Sequence, residues 1–102
     1  MNKQQILNKI ELVDPIPNLI RDYKEVVYEA LQEGILTLQE WNMVFKFYRD
    51  EYGYSILHYI KGAMFKTNYF ITENPIMIKN RKMLEERFGV PILNAKEYNR
   101  LI

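Results

Sequence analysis

Residues 19–34, LIRDYKEVVYEALQEG, decide the fold class of this chain. Leu19, Ile20, Tyr23, Val26, Val27, Ala30 and Leu31 recur at the three- and four-residue spacing that aligns one face of an α-helix. Arg21, Asp22, Lys24, Glu25, Glu29 and Glu33 occupy the other side. Gly34 stands where a left-handed residue closes a helix, because glycine has no Cβ to penalise a positive φ. Such a stripe is stable only when other elements cover it.

Upstream, Ile6, Leu7 and Ile10 predict a short amphipathic helix over residues 3–12. The segment Val13-Asp14-Pro15-Ile16-Pro17-Asn18 must break it, since proline fixes φ and lacks an amide donor. Downstream, Thr37-Leu38-Gln39-Glu40 is a capping box that opens a third helix, expected to run to Tyr52 and stop at Gly53. Leu38, Trp41, Phe45, Tyr48 and Tyr52 form its stripe, and Met43, Val44 and Phe47 add a second apolar flank. A helix apolar on so much of its circumference is either central to the fold or exposed as a docking surface.

A fourth helix is expected over residues 55–65, with Ser55 as its cap and Ile56, Leu57, Ile60, Ala63 and Met64 inward. Residues 67–72 are β-branched and aromatic and read as a short strand ending at Glu73-Asn74-Pro75. Residues 76–88 read as a fifth helix capped by Gly89, and residues 90–93 as a second short strand with its proline at an edge or first position. Asn94-Ala95-Lys96-Glu97 resembles a capping box opening a last helical segment through Leu101. The expectation is one mainly α domain over residues 1–102, a compact bundle of five to six helices with a minimal two-strand element (67–72, 90–93).

The composition argues against most catalytic chemistry. The chain has no cysteine, four glycines, one serine (Ser55) and one histidine (His58). A closed zinc site needs four Cys or His ligands, and no glycine-rich phosphate loop is present. Asp50-Glu51 and Glu85-Glu86 are adjacent pairs, whose side chains diverge on a helix and make poor acid–base partners. No catalytic residue, metal or cofactor is expected, and a non-enzyme is the reading. No apolar run approaches the roughly 20 residues of a membrane span, and no signal-type block follows Met1, so a cytoplasmic protein without a membrane partner is expected. Abundant Asn, Ile, Lys and Tyr resemble the usage of AT-rich genomes, as in low-GC bacteria, their phages and mobile elements.

Charge and aromatic content point instead to contact. Net charge is +1, but residues 1–52 carry −3 and residues 53–102 carry +4. That asymmetry can orient a partner or a second copy of the chain, head to tail. Of eight tyrosines, Tyr48, Tyr52, Tyr54 and Tyr59 crowd into twelve residues. Tyrosine suits interfaces because it buries a ring and keeps a polar tip wet, and it also rims cores for the same reason. Trp41, Phe47, Tyr48, Tyr52, Tyr54 and Tyr59 are therefore the candidate surface for a larger protein partner, whose activity the chain would modulate or inhibit. The alternative is an accessory nucleic-acid-binding protein using Lys79, Arg81, Lys82 and Arg87, with Lys61 and Lys66 close in sequence.

Two partial resemblances accompany these readings. Thr67 to Thr72, Arg81 to Gly89, Val90-Pro91-Ile92-Leu93 and Asn94 to Ile102 together resemble the second half of a BRCT domain, an adaptor module common in DNA ligases and repair proteins. The resemblance covers about a third of the chain, and residues 1–65 have no counterpart of that family's first strand with its glycine-rich approach. It implies an adaptor role and places Lys79 or Lys82 near the helix lysine of phosphopeptide-binding members, without the strand serine or threonine that partners it. Residues 37–66 are similar to the helical core of DnaD-type replication proteins, through the capped helix, the Asp50-Glu51-Tyr52-Gly53 stop and the apolar helix containing Ala63. Both imply nucleic-acid metabolism.

Overall fold

The computed structural model describes residues 2–11, 20–45 and 53–102, with the backbone alone at 20–23 and 53–54. The expected break at 13–18 and the expected third-helix residues 46–52 lie outside the described residues. The fold is mainly helical with a minimal two-strand parallel sheet. Among the described residues there are six α-helices: α1 (Lys3–Lys9), α2 (Ile20–Gln32), α3 (Gly53–Met64), α4 (Pro75–Lys79), α5 (Arg81–Phe88) and α6 (Ala95–Leu101). Strands β1 (Phe70–Ile71) and β2 (Ile92–Leu93) flank α4 and α5, and a π-helical turn spans Glu40–Val44.

Several described helix ends are satisfied by local devices. Asn2 and Gln5 cap α1 reciprocally, each side chain accepting from the other's backbone amide at 2.9 Å. Gly34 takes φ +74° after α2, as its position required. Thr37 and Glu40 form the expected capping box: Glu40 N donates to Thr37 Oγ1 at 3.0 Å and Thr37 N donates to Glu40 Oε1 at 3.2 Å. The cap opens into a π turn, because Phe45 N reaches back five residues to Glu40 O at 3.1 Å. Trp41 and Phe45 anchor that turn in the core. Trp41 Nε1 donates to Glu11 O at 2.7 Å, and Asn42 bridges Lys9 O and Glu11 N, so the end of α1 is stitched to the turn.

Helix α3 begins at Gly53, where the third helix was expected to stop, and Ser55 lies inside it rather than capping it. Ile56, Leu57, Tyr59 and Ile60 are all buried, so α3 is apolar on two sides and central to the molecule. Its C-terminus closes on Lys66 in the left-handed region, φ 56°, with Lys66 N donating to Ala63 O and Thr67 N to Gly62 O.

The helix expected over 76–88 is divided at Asn80, whose Nδ2 donates to Ile76 O at 2.9 Å. A short amide side chain competes with the ladder for its carbonyls, and here it ends one helix and starts the next. The strands are shorter than expected and pair in parallel, Phe70 opposite Ile92 and Ile71 opposite Leu93. Gly89 closes α5 at φ +78°, and Asn94 and Glu97 cap α6 reciprocally, as the sequence indicated.

The buried side chains form one cluster running from Ile10 through Val27, Ala30, Trp41 and Phe45 to Ile56, Ile60, Met77, Leu84 and Ile92. Tyr59 sits at its centre, edge-on to Phe70 (5.4 Å) and to Phe88 (5.7 Å). No described helix is long and apolar enough to cross a membrane.

Candidate functional site

Of the aromatic surface expected of residues 41–59, the described residues place two members, Trp41 and Tyr59. Trp41 and Tyr59 are both fully buried, which corrects their assignment to a docking surface. Their polar atoms are also used internally: Trp41 Nε1 on Glu11 O, and the Tyr59 hydroxyl on Val90 O at 2.6 Å and Leu84 O at 3.3 Å. Burial pushes the Tyr59 phenol up to about 12, with the Glu85 carboxylate adding to the shift. Phe47, Tyr48 and Tyr52 lie outside the described residues, as does the side chain of Tyr54.

The basic set is dispersed. Arg81 Nη1 donates to Glu97 Oε1 at 2.8 Å, toward α6. Arg87 turns the other way, toward the π turn, with Nε on Glu40 Oε2 at 2.6 Å and Nη2 on Glu40 Oε1 at 2.8 Å. Lys79 and Lys82 remain exposed near the junction of α4 and α5. Two of the four cations are thus neutralised by carboxylates from different elements.

What the structure does bring together is a cleft between the Thr37–Val44 segment and α5. It is open, encloses about 400 Å³, and is lined by Thr37, Gln39, Glu40, Met43, Val44 and Arg87. Met43 is 64% and Val44 49% exposed, although both stand on the same turn as buried Trp41. Across from them the Arg87 guanidinium is fixed on three sides. It holds Glu40 through two nitrogens, donates to Ile35 O at 2.6 Å, and lies 5.1 Å from the Phe88 ring centroid. Its Nη1, with two N–H donors, has no hydrogen-bond partner among the described residues. Arg87 holds the Glu40 carboxyl below the usual carboxylate range, and Glu40 in turn raises Arg87.

This arrangement can bury an apolar side chain against Met43 and Val44 while Arg87 donates to a neighbouring carbonyl or carboxylate. Glu40 is committed to Arg87 and to its cap. Among the described residues no group of His, Asp or Glu is placed to hold a metal ion. The second apolar flank, Met43 and Val44, was visible in the sequence. The Glu40–Arg87 pairing was not, because 47 residues separate the partners and no periodicity links them. Compared with known proteins, the chain matches no family model, no curated protein and no solved structure.

Proposed function

We propose that this chain is a small non-enzymatic interaction protein that binds a larger protein through the Met43–Val44–Arg87 cleft and modulates or inhibits it. The observation that carries the reading is the exposure of two large apolar side chains beside an immobilised guanidinium. The exposed parts of Met43 and Val44 gain nothing from burial in the free chain, whereas covering them under a partner recovers about 25 cal/mol per Å². Arginine held in a preset orientation loses little entropy on binding, which suits it to a contact hot spot. An adaptor role is also what the resemblance of residues 66–102 to BRCT domains implies. The AT-rich residue usage supports a phage, mobile-element or low-GC bacterial source.

The test is a titration. The partner recovered from a low-GC bacterial lysate, with nuclease present, is measured by calorimetry against the native chain and against the double variant Met43→Asp, Val44→Asp. Both positions are exposed, so the variant should keep its melting temperature within about 2 °C, as surface substitutions do. Affinity should fall tenfold or more, about 1.4 kcal/mol. Unchanged affinity with the fold intact would remove the cleft from the interface.

A further inference from the structure

A different face of the molecule carries a second kind of contact. From Tyr52 to Thr72 the chain contains no Asp or Glu, while Lys61 and Lys66 are both exposed there. Neither lysine has an ion pair among the described residues. Between and beside them stand rings that the core leaves out. Phe65 is 73% exposed, one helical turn beyond Lys61. Tyr69 is 37% exposed and meets Tyr98 of α6, ring centroids 5.5 Å apart and planes at 50°, and the neighbouring Tyr98 side chain raises the Tyr69 phenol.

Lys66 itself holds φ 56°, the left-handed position that closes α3 and that glycine occupies without strain. A lysine thus stands between Phe65 and Tyr69 at a position whose backbone suits glycine better. Two exposed lysines interleaved among exposed rings, with the nearest carboxylates, Glu73 and Glu97, held on the α6 N-terminus and by Arg81, complement a polyanion whose flat groups are free to stack. That describes a single strand of nucleic acid, whose bases are unstacked, and not a duplex, whose bases face inward.

We propose that Lys61, Phe65, Lys66, Tyr69 and Tyr98 form a binding face for single-stranded nucleic acid. Phe65 and the Tyr69–Tyr98 pair stack bases, and the two lysines neutralise the phosphates between them. The face is built from the end of α3, the loop into β1 and one side of α6, and shares no residue with the Met43–Val44–Arg87 cleft, so either can fail without the other.

The experiment is fluorescence anisotropy with labelled oligothymidylate and oligouridylate of about 16 nucleotides and a duplex of the same length, over about 50 to 200 mM salt. Single strands should bind more tightly than the duplex, and a ribose or a deoxyribose backbone supports the proposal equally. Phe65→Ala should weaken binding at least about fivefold, the loss expected of one stacked base. Lys66→Gly relieves the backbone and so retains the fold, and should reduce the slope of log K against log salt by about 0.7. Circular dichroism on each variant separates loss of contact from loss of structure. No anisotropy change at the lowest salt, preference for the duplex, or native affinity in Phe65→Ala would each overturn the proposal. So would light scattering in which Phe65→Ala changes only self-association, which would make the face a contact between copies.

Discussion

At the scale of single residues, Tyr59 shows how one hydroxyl can be fitted into an apolar core. Its ring fills the space between Phe70 and Phe88, and its hydroxyl donates to the Val90 carbonyl at 2.6 Å, with the Leu84 carbonyl a longer second acceptor at 3.3 Å across the Gly89 turn. Tyr59→Phe keeps the ring and strands the Val90 carbonyl, which should cost about 1–2 kcal/mol in a urea melt. The same burial makes a pH prediction. The folded phenol stands at about 12 against an ordinary 10.0, so the folded state favours the protonated ring. That stability is fully present below pH 10 and is lost as pH rises toward 12. The native chain should therefore lose melting temperature steeply between about pH 10 and 12, and Tyr59→Phe should lose less over the same interval. Equal slopes would mean that the hydroxyl titrates as though it were in water.

At the scale of elements, the Glu40 carboxylate joins three of them. It closes the capping box of Thr37 and grips Arg87 near the end of α5, while the backbone carbonyl of the same residue accepts from Phe45 N to close the π turn. Arg87 extends the link to the Ile35 carbonyl, just past Gly34. Arg87→Met keeps the aliphatic stem and removes the pairing, and should lower stability at neutral pH by about 1 kcal/mol, the range of a half-exposed bidentate pair. Because Glu40 is held below its ordinary 4.5, the contribution is present above that value and lost as pH falls through the lowered one. The gap in melting temperature between native and variant should narrow in acid, and a gap that stays constant to about pH 3 would show that the pairing adds nothing.

Elements also show where the sequence is legible. The capping boxes at Thr37–Glu40 and Asn94–Glu97 and the left-handed turns at Gly34 and Gly89 form where the sequence places them, since each depends on neighbours three or four residues away. Asn80 and Gly53 are less legible. A helix boundary at Asn80 turns on whether its amide takes the Ile76 carbonyl, and α3 opens at Gly53, ahead of the Ser55 cap that the sequence suggested.

At the scale of the whole molecule, the buried side chains are continuous from Ile10 near the N-terminus to Ile92 near the C-terminus. A core without a seam unfolds as one unit. The single tryptophan reports on this, since Trp41 is fully buried and hydrogen-bonded to Glu11 at the end of α1. Its emission should be blue-shifted, and should change in urea along the same curve as the far-ultraviolet circular dichroism contributed by all the helices. A tryptophan transition that precedes the helical one would separate the α1–π turn region from the α3–α6 region as an independent folding unit.

The sequence by itself determined the class of this protein: mainly helical, with two minimal strands, its helices placed by apolar periodicity and ended by local caps. Those signals act within a turn or two of chain and survive in one dimension. The tertiary structure decided which aromatics are core and which are surface, because Trp41 and Tyr59 carry the same local pattern as a docking residue and differ only in what packs over them. It also decided that Arg81 and Arg87 answer carboxylates 16 and 47 residues away, which left the exposed Met43 and Val44 beside a fixed guanidinium. Burial and long-range pairing depend on which elements meet, and that choice is made only when the chain closes on itself.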